Sequence, residues 1–424
     1  MKIEKSMNSR TYYGEYSLEH WIKLMLTKNI VLPDYQRSFV WEKDNIDKLL
    51  ESFNENLFVQ PVTIAYNHLA GEHGKANLIL DGQQRLTSIL LAYLGYIPDK
   101  TKFEDGESYA SEDDSRSDDV DIKEAKTIKW TFHFLLEEAS FENTLEKVRA
   151  RIEKDGRYVK YENSGLRKDF WNNTFLGFSY IISESKEKEK IQKCYAKMFR
   201  NINYYGKHLS ALESRRSLYF MNMRFKDFFD GLDANGEDVL CGIMIKEDMK
   251  STKIDFVKYL SILSQYYPLT EDKIKEVLKG YSAYKSREAY YADYVAYLLG
   301  LEQESRKDKF CLFNFDAVFP SDCWKTQFVK LKTNVSFLKA KMNLEKGNLL
   351  TSWIDADYWL FGLIYFIVFK QKGLTGDMNR LAADINRAIA EKRKDENYVK
   401  NTNRIGNLRD RILKSIEIYG KYTS

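Results

Sequence analysis

The chain is poor in several residue types that define common protein classes. Its 424 residues include only four cysteines, and no two of them are closely spaced. This argues against a disulfide framework and a zinc site, and it favours reduced thiols in a cytoplasm. Only two of the five prolines, Pro268 and Pro320, lie beyond residue 185. That part of the chain has few breaks, and its apolar spacing predicts mainly helices.

Long apolar segments are also missing. The longest run covers residues 358–369, which is 12 residues, whereas a membrane-spanning helix needs about 20. This run predicts a buried core helix that begins near Asp355 or Asp357 and ends at Gly373. The first residues lack the apolar core of a signal peptide. We therefore expect a cytoplasmic protein without a membrane partner.

Charge is unevenly distributed. Residues 104–121 carry nine acids and one base, so this segment has a net charge of −8 in a chain whose total is +4. Its low apolar content predicts a mobile surface insertion, either a solvated loop or a DNA mimic that covers a basic groove. Residues 380–424 carry eleven Lys or Arg against six acids. Their cations either contact phosphates or form a solvated helix face; they include Arg404, Arg409, Arg411 and Lys414.

The most informative segment runs from Asp81 to Arg85, with the sequence Asp-Gly-Gln-Gln-Arg. It follows an apolar run and precedes apolar residues at helical spacing: Leu86, Ile89, Leu90, Tyr93 and Leu94. The pattern predicts a strand, a turn at Gly82 and a helix, with Asp81 as N-cap and Gln84 completing a capping box. A cation in the first turn, such as Arg85, opposes the helix dipole by up to about 1 kcal/mol. An arginine beside helix N-terminal amides is typical of a phosphate pocket.

A similar arrangement occurs upstream. Gln36 and Arg37 precede a helix predicted from the apolar positions Ile46, Leu49, Leu50 and Phe53. A strand is predicted in residues 57–66, with Pro61 near its start. Gln36 beside Arg37 echoes Gln84 beside Arg85, and we interpret the two pairs as contacts to one shared ligand. At least one of the flanking aromatic residues is expected in the core; these are Tyr35, Phe39 and Trp41.

These segments resemble a known family. Residues 36–41 resemble its first motif, Gln-Arg-x-aromatic-x-Trp, and residues 81–85 match its second motif, Asp-Gly-Gln-Gln-Arg, without a change. A third block, residues 199–215, resembles a signature that includes Asn203, Glu213 and Arg215. The family is the domain in the N-terminal half of GmrSD-type, modification-dependent (Type IV) restriction enzymes. It is related to the ParB/sulfiredoxin fold and is common in bacterial anti-phage systems. The resemblance covers residues 15–230.

The resemblance implies a nucleotide-binding site, with hydrolysis of nucleoside triphosphate (NTP) in several members, coupled to DNA restriction. Arg85 and Arg37 would clamp phosphates. Asp81 is the candidate for orienting a water molecule or a Mg²⁺ ion, although helix capping alone also explains it. Glu213 would complete the catalytic group, or would form a surface pair with Arg215. The other nucleotide-binding candidates are Tyr35, Gln36, Gly82, Gln83, Gln84, Asn203 and Arg215.

Missing residues argue against other activities. The chain has no P-loop, since residues 71–76 lack the required spacing and favour a hairpin turn. Gln83 and Gln84 occupy the stretch where sulfiredoxin chemistry places a cysteine. Larger family members carry an HNH nuclease, which needs histidine as general base and metal ligand, and this chain has no histidine beyond His208.

We therefore expect a subunit that binds and hydrolyses NTP in a DNA-targeting defence system, without an HNH nuclease of its own. Its partners would be DNA and either a nuclease or further copies of the chain. The alternative is a non-catalytic adaptor that binds nucleotide or DNA and recruits a nuclease. A phosphate-release assay separates the two.

The predicted fold class is α+β, with a ParB/sulfiredoxin-like α/β N-terminal domain followed by a mainly α-helical region. The nucleotide-binding core is expected at residues 1–100 and the acidic insertion at 101–127. The rest of the family domain, with the third motif, is expected at 128–230. A helical C-terminal domain is expected at 231–424.

Overall fold

The computed structural model describes residues 9–32, 39–66, 77–103, 128, 130–137, 144–162, 165–185, 187, 190–191, 194–195, 198, 202, 211–219, 222–247, 250–269, 273–284, 286–301, 310, 312–342 and 349–424. They form two compact units, the first from residues up to 219 and the second from Asn222 onward. The first unit consists of a sheet and helices, and the second unit is mainly helical. This confirms the predicted α+β class. The acidic segment 104–121 lies outside the described residues.

A five-stranded sheet forms the framework of the first unit. Its strands are β1 (Ser9–Ser17), β2 (Ile30–Val31), β3 (Val62–Tyr66), β4 (Asn77–Asp81) and β7 (Phe175–Ser183), in the order β1-β7-β3-β4-β2. β2 runs parallel to β4, and β3 runs antiparallel to β4 and parallel to β7. β1 is antiparallel to β7. The short strands β5 (Tyr96–Pro98) and β6 (Tyr158–Lys160) pair separately.

The first unit also contains helices. They are α1 (Leu18–Leu26), α2 (Lys43–Asn54), α3 (Gln83–Leu94), α4 (Phe132–Glu137), α5 (Leu145–Lys154), α6 (Phe170–Asn173) and α7 (Ala211–Tyr219). The predicted apolar face of α2 is buried, and so is that of α3 except for the half-buried Tyr93. Removing these side chains from water stabilises the unit by about 1.5–3 kcal/mol for each large aliphatic residue. α3 is therefore held firmly against the sheet, and its first turn has a fixed position beside β4.

The second unit contains most of the predicted C-terminal helices. They are α8 (Met223–Asp230), α9 (Phe256–Tyr266), α10 (Ile274–Ser282), α11 (Arg287–Leu298), α12 (Phe315–Val318), α13 (Trp324–Lys341), α14 (Trp353–Ile364), α15 (Met378–Arg393), α16 (Glu396–Lys400) and α17 (Ile405–Gly420). A small sheet in the order β10-β8-β9 was not predicted. Its strands are β8 (Met244–Glu247), β9 (Lys250–Lys253) and β10 (Leu349–Leu350). They are short and β9 is polar, so they lack a strand-like apolar pattern.

The apolar run at residues 358–369 is part of a buried helix, as predicted, but the predicted starting residue is wrong. α14 begins at Trp353 with Ser352 as N-cap, and it continues as a π-helix through Phe369. Asp357, expected near the helix start, lies inside the helix and is fully buried. None of the helices in the described ranges is both long and apolar enough to cross a membrane.

Asp357 joins three helices of the second unit. Its Oδ1 accepts hydrogen bonds from Lys258 Nζ at 2.8 Å and Tyr259 Oη at 3.1 Å, and its Oδ2 accepts one from Arg411 Nε at 2.7 Å. Lys258 lies on α9 and Arg411 on α17, and both are at most 1% exposed. Arg411 is therefore not part of a solvated basic face or a phosphate contact, as the tail composition had suggested. It belongs to the core.

Candidate functional site

The Asp81–Arg85 motif forms the junction between β4 and α3. β4 ends at Asp81, Gly82 adopts the left-handed conformation (φ 95°, ψ 11°), and α3 begins at Gln83. A Cβ atom on Gly82 would lie 2.4 Å from Val62 Cγ1. Glycine is required here both by the backbone angle and by the close approach of β3. The predicted order of strand, turn and helix is confirmed.

The predicted capping box is absent. Gly82, not Asp81, is the N-cap of α3, and no side chain caps this helix start. Asp81 instead accepts a hydrogen bond at Oδ2 from Arg85 Nη2 at 2.7 Å. Gln84, expected to reach back to the cap, accepts a hydrogen bond at Oε1 from the Val40 amide at 3.0 Å. The left-handed glycine turns the chain one residue later than the capping box requires, and this frees both side chains for other contacts.

Arg85 connects the first turn of α3 to the start of β3. Besides the ion pair with Asp81, its Nη1 lies 3.3 Å from Gln60 Oε1 and its Nη2 lies 3.4 Å from the Pro61 carbonyl oxygen. The Arg85 side chain is 14% exposed and that of Asp81 is 27% exposed. Nε of Arg85 is buried and has no acceptor among the described residues. The sequence predicts a cation that opposes the helix dipole at this position, and in the structure Asp81 offsets its charge.

A β-bulge aims Asp81 at this position. Thr63 pairs with Asp81 and Ile64 pairs with Ile79, so Leu80 is an extra residue on β4. Bulges are common next to active sites, where they redirect a side chain. The Thr63 hydroxyl in turn lies 3.0 Å from the Ser179 hydroxyl on β7. Gln60, Thr63 and Ser179 were not predicted as site residues, since single polar residues around a short strand carry no recognisable pattern.

The described residues Val31 and Val40, which bracket the candidate residues of the first motif in the sequence, lie at the same edge of the sheet. These candidates, Tyr35, Gln36 and Arg37, lie outside the described part of the chain, but both flanks are described. β2 ends at Val31, parallel to β4, with Val31 paired to Leu78. Parallel strands present their carboxyl ends at one edge, so the chain leaves β2 beside the Asp81–Arg85 junction.

On the other flank, four interactions hold Phe39 and Val40. The Phe39 amide donates to the Trp130 carbonyl oxygen at 2.9 Å, and the Phe39 ring is buried against Trp130. This confirms that one of the three aromatic residues is a core residue. Val40 donates to Gln84, and Lys100 Nζ donates to the Val40 carbonyl oxygen at 2.8 Å.

The third motif is described only in part. Asn203 and the side chain of Glu213 lie outside the described residues. Arg215, on α7, is 1% exposed, and its Nη1 donates to the Tyr219 hydroxyl. The interpretation of Glu213 and Arg215 as a surface pair is therefore wrong for Arg215, which is buried. No group of three or more His, Cys, Asp or Glu side chains in the described ranges could hold a metal ion.

Comparison with known proteins gives a family for this part of the chain. Residues 19–220 match the family described as GmrSD restriction endonuclease, N-terminal domain. These residues belong to the GmrSD N-terminal domain family. The match runs from α1 to α7, covers every strand of the five-stranded sheet except β1, and includes all three motifs. It ends just before the second unit begins at Asn222.

A relative of the chain occurs in an archaeon. An uncharacterized protein of Methanocaldococcus jannaschii is 33% identical over 90 residues, which cover 17% of this chain and 16% of that protein. The chain thus matches about a sixth of the length of this curated relative. No solved structure matches the chain.

Proposed function

We propose that the junction of β4 and α3 binds the phosphates of an NTP and that the protein hydrolyses it as a subunit of a restriction-like, DNA-targeting bacterial defence system. One observation carries the proposal. The segment with the first motif leaves β2 and the second motif leaves β4 at the same sheet edge, and the Val40–Gln84 hydrogen bond ties them together. Ligands of open α/β sheets bind in such crevices at the carboxyl ends of strands.

The charges at this edge suit a phosphate chain. Arg85 is positioned by Asp81, Gln60 and Pro61 but keeps a buried Nε without an acceptor among the described residues. Arg37 would add a second guanidinium from the neighbouring loop, and two such groups can bind phosphate oxygens bidentately. Gln84 then has a positioning role, because its side chain holds Val40, which follows Arg37 by three residues in the sequence. Gln36, Gln83 and Tyr35 remain candidates for contacts to the ribose or base.

A Mg²⁺ ion would be held by Asp81 and the nucleotide. Mg²⁺ in nucleotide sites usually takes one or two carboxylates together with phosphate oxygens, so a single carboxylate without a protein metal cluster fits. The ion would neutralise phosphate charge when bound. Asp81 is 27% exposed, which leaves one face of its carboxylate open. Glu213 and Asn203 remain proposed contributors from the third motif.

The family takes its name from a restriction endonuclease, but this chain has no histidine beyond His208. We therefore place DNA cleavage in a partner protein and propose that the purified chain does not cleave DNA alone. Magnesium-dependent nicking of a plasmid by homogeneous protein, lost in a variant of one of the motifs, would contradict this assignment.

The test is phosphate release from each of the four NTPs, with and without DNA, for the wild type and Arg85→Ala. Arg157→Ala is the matched control, because Arg157 also pairs with an aspartate in the first unit, Asp155 at 2.7 Å, away from the junction. We expect turnover in the wild type and the control and its loss in Arg85→Ala. Nucleotide-dependent thermal stabilisation without phosphate release would support the adaptor instead.

A further inference from the structure

Helix α13 of the second unit has an unusual charge pattern. Its 18 residues contain five lysines and no acid: Lys325, Lys330, Lys332, Lys339 and Lys341. Surface helices usually mix both signs, since opposite charges three or four residues apart stabilise a helix and like charges destabilise it. Helices α15 and α17 of the same unit follow that usual pattern, with ion pairs such as Asp384–Arg387 and Lys414–Glu417.

Two of the five lysines have structural partners. Lys332 pairs with Asp233 and Glu237, and Lys339 Nζ donates to the Cys241 carbonyl oxygen at 2.8 Å. Lys325, Lys330 and Lys341 are exposed, and no Asp or Glu in the described ranges lies within 4.0 Å of their ammonium groups. Lys325 also stands in the first turn, where a cation opposes the helix dipole. Local structure therefore does not explain these three charges.

Lys330 and Lys341 share one edge of the exposed surface of α13, and at 3.6 residues per turn Lys325 lies on the other edge. The opposite face is buried through Trp324, Phe328, Leu331, Val335 and Leu338. On the open face the exposed residues Thr326, Lys330, Thr333, Phe337 and Lys341 follow one another in steps of three or four. Phe337 is 44% exposed, and Lys341 Nζ lies 5.7 Å from the centre of its ring. Lys330 and Lys341 are separated by about 17 Å along the axis at 1.5 Å per residue.

We infer that the exposed surface of α13, called here the lysine face, with Lys325 on one edge and Lys330, Phe337 and Lys341 on the other, binds the phosphate backbone of DNA. Three unpaired cations on an acid-free helix complement a polyanion, and the hydroxyls of Thr326 and Thr333 between them suit phosphate oxygens. The exposed Phe337 ring offers a surface for a sugar or an unstacked base. The choice of DNA among polyanions rests on the proposed function, whereas the surface itself belongs to the second unit.

The experiment measures binding of a fluorescein-labelled 30-base-pair duplex by fluorescence anisotropy at several salt concentrations, using the full chain. The variant is Lys325→Gln/Lys330→Gln/Lys341→Gln. The matched control is Lys273→Gln/Lys275→Gln/Lys279→Gln, which removes the same charge from exposed positions at α10. Losing three phosphate contacts should lower the slope of log affinity against log salt by about 3. We expect at least tenfold weaker binding at 50 mM salt for the variant and a change below threefold for the control.

Equal losses in both triple variants would show a general charge effect and overturn the inference, as would wild-type protein that does not bind DNA. Phosphate release measured on the same samples separates this result from the proposed function. DNA binding through α13 without NTP turnover would contradict only the nucleotide assignment. Turnover without DNA binding would contradict only the lysine face. Because all six lysines are exposed, both variants should fold, and thermal melts check this.

Discussion

Two Asp–Arg pairs, one in each unit, have opposite environments. Asp357 and Arg411 are fully buried, and Asp357 has two further donors in Lys258 and Tyr259. Asp81 and Arg85 lie at a helix start and are 27% and 14% exposed. Both pairs have the same N–O distance, 2.7 Å. Distance alone therefore does not distinguish a core ion pair from a site.

Exposure and placement distinguish them. A buried pair must be satisfied from within the protein, because leaving either charge unpaired costs several kcal/mol. A pair at an open helix N-terminus can exchange part of its bonding for an incoming anion. The Asp357–Arg411 pair is thus expected to govern the stability of the fold without affecting nucleotide binding. The Asp81–Arg85 pair is expected to govern nucleotide binding, with a smaller effect on stability.

The largest effect is expected from Asp357→Asn. The change keeps the shape of the side chain but removes the counter-charge of Lys258 and Arg411, so the free energy of unfolding should fall by about 3–5 kcal/mol in urea titrations. Asp410→Asn is the control: its side chain is 47% exposed, and its pair with Arg409 should matter by less than about 0.5 kcal/mol. A loss below about 1 kcal/mol for Asp357→Asn would mean that the cluster relaxes or admits water.

Gly82→Ala should be next. Its Cβ would need the left-handed backbone at φ 95° and would overlap Val62, so we expect a loss of about 2–3 kcal/mol and a displaced Arg85. Gly156→Ala serves as control, since nothing lies within 4 Å of its added Cβ. Thermal and urea unfolding of both variants measure the difference. Equal stability of the two variants would show that the β3–α3 contact is loose.

The junction also shows what sequence can and cannot provide. Strand, turn and helix at 78–94 follow from apolar spacing and one glycine, because these are local preferences. The Asp81–Arg85 pair and the Val40–Gln84 bond do not follow, because they depend on a bulge in β4 and on parallel pairing of β2 with β4. Burial of Arg411 was missed for a similar reason: its partner Asp357 lies 54 residues away, and charge composition carries no information on such pairing.

Arg85→Ala tests the second half of the comparison. The stability of the free protein should fall by about 1 kcal/mol, since a partly exposed ion pair is lost while the cation at the helix start is also removed. Stabilisation by nucleotide, about 2.7 kcal/mol at 100 times the wild-type dissociation constant, should fall to about 1.4 kcal/mol or less. Affinity should fall at least tenfold, because charge-assisted bonds to phosphate contribute about 1.5–3 kcal/mol.

Arg37→Ala should reduce nucleotide stabilisation to the same extent, and the double variant should be little worse than either single one if both arginines hold one ligand. Arg411→Ala is the structural counterpart: it should lower stability strongly and leave the nucleotide-dependent shift of the remaining folded protein unchanged. Wild-type protein without a thermal shift for any NTP, together with an unfolded Arg85→Ala variant, would assign Arg85 the same purely structural role as Arg411.

The smallest effect on stability is expected from the acidic segment. Replacing residues 104–121 with a short Gly/Ser linker should leave the melting temperature nearly unchanged if the segment is a solvated surface insertion, as its composition predicts. Removing a net charge of −8 should tighten non-specific DNA binding and steepen its salt dependence if the segment shields a basic surface. Combining the replacement with the triple glutamine variant of α13 tells which surface is shielded. If the gain in affinity disappears in the combined variant, the lysine face is that surface; if the gain persists, the shielded cations lie elsewhere. A large fall in melting temperature would instead show that the segment is structural.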